Sequence, residues 1–208
     1  TSNDLTPQKY KFSISLLGGA SLLADDYYRY GYYTSTRDNM VGYHADLTGM
    51  FYLSDSKAIK VDFGFSRFNM KNEAYPQYYT EYPSYYSGGE VTYFSFKPNI
   101  VLGAFKPKER FFIYGSFGVG INYTNEAERT EKYYSSYDSL YRTYVRPSRS
   151  YVNALIGIGG GLGFRIGRNL GIHAEAEYNM ITYDGAFLLF FGGRGYFPLR
   201  IGLTYMLY

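Results

Sequence analysis

His44 and Asp46 stand two apart in "YHADL", and His173, Glu175 and Glu177 alternate in "IHAEAEYN". Carboxylates beside histidines are the raw material of general acid–base chemistry. Lys60, Asp62, Arg165 and Arg200 complete the set of ionisable candidates. A hydrolase needs more: a nucleophile within reach of a histidine, with a carboxylate behind it. The chain has no cysteine and only 2 histidines. Neither histidine sits in a His-x-Ser arrangement, and neither has an evident exposed serine beside it. No metal-ligand spacing appears, and no cofactor is expected. The glycine run "GIGGGLG" departs from the phosphate-binding G-x-G-x-x-G and no helix follows it, so its glycines read as small fillers.

What must position these residues is a rhythm of two. In "IKVDFGFS", Ile59, Val61, Phe63 and Phe65 alternate with Lys60, Asp62, Gly64 and Ser66. In "LGIHAEAEYNM", Leu170, Ile172, Ala174, Ala176, Tyr178 and Met180 share one parity; Gly171, His173, Glu175, Glu177 and Asn179 share the other. Such alternation marks half-buried strands. Applied throughout, it predicts eight strands near 10–20, 43–53, 59–70, 91–105, 111–123, 151–166, 170–183 and 196–208. Long connections (21–42, 71–90, 124–150, 184–195) alternate with the short "SDSKA", "KPKER" and "GRN". The fold class is therefore all-β: an antiparallel up-and-down meander that can close into a barrel and lose both sheet edges.

A barrel can put its apolar parity inside, as a soluble carrier does, or outside against lipid. Three features favour lipid. The polar parity mixes both signs of charge with many glycines, which suits a crowded bore: Val152, Ala154, Ile156, Ile158, Leu162, Phe164 and Ile166 oppose Gly157, Gly159, Gly161, Gly163 and Arg165. Most strands exceed the ten or so residues that cross a hydrocarbon layer when tilted. Aromatics gather at strand ends, as interface girdles do: Tyr10, Phe12, Phe51, Tyr52, Phe105, Phe111, Phe112, Tyr123, Tyr183, Tyr196 and Phe197. No apolar run is long enough for a membrane helix. The net charge of +3 does not suggest a nucleic-acid partner.

The ending "RIGLTYMLY" (Arg200–Tyr208) resembles the closing strand of bacterial outer-membrane barrels, with one departure: Leu207 ends the apolar parity, so Tyr208 is out of register with the usual terminal aromatic. "GIHAEAEYN" similarly resembles the seventh strand of small eight-stranded outer-membrane proteins of the OmpA/OmpX-like kind. The resemblance implies a bacterial outer-membrane location, with both termini and the short turns periplasmic and the long loops outside. Residues 1–9 would then be a periplasmic tail, and 10–208 a single transmembrane barrel.

Inside such a barrel, Asp46, Asp62, Arg165, His173, Glu175, Glu177 and Arg200, with His44 and Lys60, face one another across a narrow bore. Charges can be buried there only when paired. They read foremost as a structural brace, with Glu177 and Arg200 as partners; a proton or ion path and a catalytic site are the alternatives. Outside the barrel, tyrosine dominates. Tyr27, Tyr28, Tyr32 and Tyr33 lie in the first long connection, Tyr78, Tyr79, Tyr85 and Tyr86 in the second, and Tyr133, Tyr134 and Tyr137 in the third. Tyrosine offers rigid contact area with a hydroxyl for hydrogen bonding. Two readings stay open: the loops extend the sheet above the membrane, with these tyrosines packing on one another and on lipid head groups, or the tyrosines form an ordered outer surface that binds a protein or glycan partner. The expected function is thus non-enzymatic, with a lipid- or peptide-hydrolysing barrel and a narrow ion or solute channel as alternatives.

Overall fold

The computed structural model describes residues 11–25, 40–69, 74–75, 84–105, 109–135, 140–167, 169–182 and 194–207. Twelve strands run β1 Phe12–Asp25, β2 Met40–Tyr52, β3 Lys57–Phe68, β4 Ala74–Tyr75, β5 Ser84–Gly88, β6 Val91–Ala104, β7 Phe111–Glu126, β8 Arg129–Ser135, β9 Leu140–Arg146, β10 Arg149–Arg165, β11 Leu170–Ile181 and β12 Arg194–Leu207. Eight of them close the barrel in the order β1-β12-β11-β10-β7-β6-β3-β2. Every pairing is antiparallel, and β1 meets β12 from Phe12↔Leu207 to Asp25↔Arg194. All eight expected strands are present. Among the described residues there is no helix.

The alternation places side chains as expected. Leu16, Ile100 and Ile201 on the outer wall are 67 %, 65 % and 61 % exposed, and Phe63, Phe117, Ile158 and Leu203 share that wall. Asp46, Lys60, Glu177 and Arg200 are buried on the inner side. The apolar side chains thus form the lipid face of a transmembrane barrel, and the charges fill its bore.

Some of the aromatics expected in the girdles lie inside instead. Phe51, Phe111 and Tyr123 are exposed on the outer wall, whereas Phe105, Phe112 and Tyr196 are buried in the bore. Near the short turns, Met50, Ala58, Val101, Phe105, Phe112, Tyr114 and Met206 form an apolar plug, with Tyr52 packed against it. At the other end Leu23, Phe68, Val91, Tyr93, Leu155, Ile181 and Tyr196 form a second. Beyond the polar middle, inward-pointing side chains can satisfy one another only by apolar packing, so ring-bearing residues enter the bore there. Tyr10 and Tyr183 lie outside the described residues.

Two of the long connections carry strands that extend the sheet, one of the two readings of these segments. β4, β5, β8 and β9 form a second sheet in the order β4-β5-β8-β9. It continues the barrel wall. Val91↔Glu126 and Gly88↔Arg129 belong to one register, as do Glu126↔Arg149 and Arg129↔Arg146. β6, β7 and β10 therefore project past the barrel rim as β5, β8 and β9, through a bend at Gly88 and Gly89, whose φ angles are +75° and +87°. The seven residues of β8 add about 24 Å of strand. "YYSGG" shows no alternation because both faces of this extension meet solvent, so no hydrophobic period is selected.

Candidate functional site

The bore holds the charged constellation. β12 supplies Arg200, whose guanidinium gathers three carboxylates. It pairs with Asp46 of β2 and Glu175 of β11, and its Nη2 donates to Glu177 Oε2 at 2.8 Å. The expected Glu177–Arg200 contact is therefore made. Lys60 of β3 donates to both Glu175 oxygens at 3.1 and 3.0 Å, and lies 3.2 Å from Asp62 Oδ2. Lys97 of β6 pairs with Glu177 and donates to Asn179 Oδ1 at 2.7 Å. Thr48 and Asn99 each donate to Asp62 at 2.9 Å. Tyr114 of β7 donates to Glu175 and sits 2.5 Å from His173 Nε2. Six strands are tied together across the bore, and the buried charges are compensated as burial requires.

Asp46, Asp62, His173, Glu175, Glu177 and Arg200 lie together in the bore. Arg165 does not stand beside His173 or Glu175: its cross-strand neighbour is Gly171, and its guanidinium lies 6.0 Å from the centre of the Phe112 ring. Strand pairing carries it toward the turn-end plug. Lys97, Asn99 and Tyr114 were not anticipated. Lys97 is followed by Pro98, which reads as a strand breaker, yet β6 runs through it; the ladder with β7 simply skips Lys97 and Pro98. For Lys97 and Asn99 the signal is their parity with Val91 and Tyr93 in β6; for Tyr114 it is its parity with Ser116 and Gly118 in β7.

The inward glycines make room for these long side chains. A Cβ on Gly157 would come within 2.6 Å of Lys97 Nζ, and one on Gly161 within 2.5 Å of Tyr114 Oη. "GIGGGLG" is thus the wall that the network leans against.

One arrangement resembles a nucleophilic relay. Cross-strand pairing puts Ser66 opposite His44. Ser66 Oγ is 2.6 Å from His44 Nδ1, and His44 Nε2 is 2.9 Å from Asp46 Oδ2. The sequence did not place Ser66 there, because β3 reaches β2 only through the hairpin. The geometry fits a histidine that accepts from Ser66 and donates to Asp46. Access is the obstacle. Ser66 is 1 % exposed, and the Tyr196 ring centre lies 6.5 Å from that of His44, in the plug formed with Phe68 and Tyr93.

The outer sheet carries the described tyrosines. Tyr134 and Tyr141, directly paired across β8 and β9, have ring centres 5.5 Å apart, and Tyr85 lies 6.1 Å from Tyr141. Lys132 Nζ sits 5.3 Å over the Tyr141 ring. Tyr133 and Tyr144 belong to the opposite face by parity; Tyr86 pairs with Glu131 along the β5–β8 ladder. Tyr27, Tyr28, Tyr32, Tyr33, Tyr78, Tyr79 and Tyr137 lie outside the described residues.

No family model and no curated protein matches the chain. Solved structures do. Neisserial surface protein A aligns over 94 % of this chain and 97 % of its own, at 9 % identity and a TM-score of 0.57. A major outer membrane protein from Thermus thermophilus aligns over 94 % and 99 %, at 10 % identity and a TM-score of 0.51. With its closed eight-strand topology, apolar outer wall and charged bore, this chain has the fold of the small eight-stranded outer-membrane β-barrels.

Proposed function

We propose that the protein resides in a bacterial outer membrane, with termini and short turns in the periplasm, and that its projecting sheet is a non-enzymatic binding surface for a protein or glycan. One observation carries this reading. The rings of Tyr85, Tyr134 and Tyr141 pack against one another, edge-on or tilted, on an extension of the barrel wall, yet Tyr85 is 45 % exposed, Tyr141 39 % and Tyr134 partly. Aromatic rings held on a scaffold lose little entropy on binding and supply most of the energy at recognition sites. Changing Tyr85, Tyr134 and Tyr141 together to serine is expected to leave heat-modifiable gel migration intact. The same variant should lose the partner that co-purifies stoichiometrically with the wild-type protein, or its capture on immobilised glycans. Retention of every partner at wild-type level overturns the reading.

The Ser66–His44–Asp46 hydrogen bonds favour hydrolysis as the second reading. Their burial weighs against it. Purified protein should leave lipid A, phospholipid and peptide substrates intact; turnover that disappears in Ser66→Ala would establish the enzyme instead.

A further inference from the structure

The chain holds 28 tyrosines but no cysteine and no tryptophan. With thiol and indole absent, phenols are its readiest one-electron donors. Packing and access then select among them. Among the described residues, Tyr93 and Tyr196 stand ring to ring at 5.3 Å, Tyr134 and Tyr141 at 5.5 Å, and Tyr85 and Tyr141 at 6.1 Å. The first pair is sealed in the bore, each residue 1 % exposed, whereas Tyr85 and Tyr141 are exposed and Tyr134 is half-buried. Tyr134 and Tyr141 are also direct partners across the β8–β9 ladder, which sets their Cβ atoms about 5 Å apart. Their rings meet edge-on, at 72°. Lys132, on the same face, lies with its Nζ 5.3 Å over the Tyr141 ring.

We propose that Tyr134 and Tyr141 are a modification site, joined as dityrosine by a haem peroxidase that uses hydrogen peroxide. The peroxidase takes one electron and one proton from each phenol, and the peroxide is reduced to water. The two phenoxyl radicals couple through ring carbons ortho to oxygen, and each coupled carbon passes its hydrogen to its own phenol oxygen. One carbon–carbon bond is made, and the chain loses two hydrogen atoms. Surface side chains change rotamer within nanoseconds, so rings held edge-on as direct cross-strand partners reach the coupling geometry without moving the backbone. Tyr93 and Tyr196 are as close, but no peroxidase can reach them. The consequence lies in the ladder. β9 stands at the end of the order β4-β5-β8-β9, and the Tyr134↔Tyr141 pair is next to Ser135↔Leu140, the last pair of the β8–β9 ladder. A hairpin frays from its tip, and exposed tips are where proteases cut. The cross-link staples that end of the sheet shut. It depends on ring geometry and access, not on the partner-binding reading.

The test uses the full chain in detergent, treated with a haem peroxidase and hydrogen peroxide. Dityrosine fluorescence should appear. After tryptic digestion, the peptide Tyr133–Arg142 should be lighter by two hydrogen atoms, with fragment ions missing between Tyr134 and Tyr141. Tyr134→Phe and Tyr141→Phe should each lose this product while keeping heat-modifiable migration. Tyr133→Phe, on the other face of the sheet, should keep it. Oxidised wild type should resist cleavage between Arg129 and Arg146 by added protease, and oxidised Tyr141→Phe should be cut like the untreated protein. The site is overturned if the lighter peptide persists in Tyr141→Phe, if coupling yields only intermolecular dimers, or if Tyr93 couples to Tyr196 instead. Equal cutting of oxidised and untreated wild type overturns the staple.

Discussion

At the scale of single residues, the bore is governed by the cost of an unpaired charge. Arg200 serves Asp46, Glu175 and Glu177 at once, and all three carboxylates are buried with it. Arg200→Met is expected to cost about 3–5 kcal/mol of folding stability in lipid. Glu177→Gln should also destabilise, because Lys97 loses its carboxylate. The double variant should cost clearly less than the sum, as contacting residues do. Urea titration of the folded barrel in bilayers measures all three. Strict additivity would mean that the two side chains do not interact. Ser66, His44 and Asp46 obey the same rule: each hydrogen-bonding group is answered by a neighbour because none can reach water.

At the scale of strands, one parity faces lipid and the other faces the bore. Ile172, on β11 between Leu170 and Ala174, is on the lipid face, while His173 beside it is buried. Ile172→Arg should therefore destabilise the barrel by about 2–4 kcal/mol if its level is near the bilayer middle, and less toward an interface. The same urea titration reads this. A variant as stable as wild type would place Ile172 away from hydrocarbon. The projecting strands lack such a selecting medium. β5, β8 and β9 pair with one another in the register of the barrel strands they continue, and their side chains specialise by face, tyrosine rings packing together on one and arginines on the other.

At the scale of the whole molecule, the bore is closed in three layers. A ring-filled plug near the turns, the ion-paired middle and a second plug of Phe68, Tyr93 and Tyr196 lie in series. An ion entering either plug would shed its hydration without gaining a partner. Planar bilayers containing the purified protein are expected to show no single-channel current. Steady, reproducible unitary conductance would require an open path that this packing does not provide. Among the described residues, the ion-paired middle and the two plugs fill the bore in series.

Much of this was legible in the residues. Period-two alternation needs no tertiary information, because each residue's parity is set by the pleat and its polarity by the medium it meets; this yielded the eight strands, the lipid face and most of the charged set. The pairing of Glu177 with Arg200 was legible because both lie at similar heights on neighbouring strands. What chain position cannot carry is lateral neighbourhood. Ser66 meets His44, Lys97 meets Glu177 and Tyr114 meets Glu175 only because closure and register bring distant segments to one level. Phe105, Phe112 and Tyr196 look like interface aromatics in sequence, and only the closed bore decides that they plug it. An extension of the sheet above the membrane was one of the two readings of the tyrosine-rich connections, but which residues form its strands was not legible. With water on both faces its strands carry no hydrophobic period, and they are ordered by the register of the barrel strands they extend.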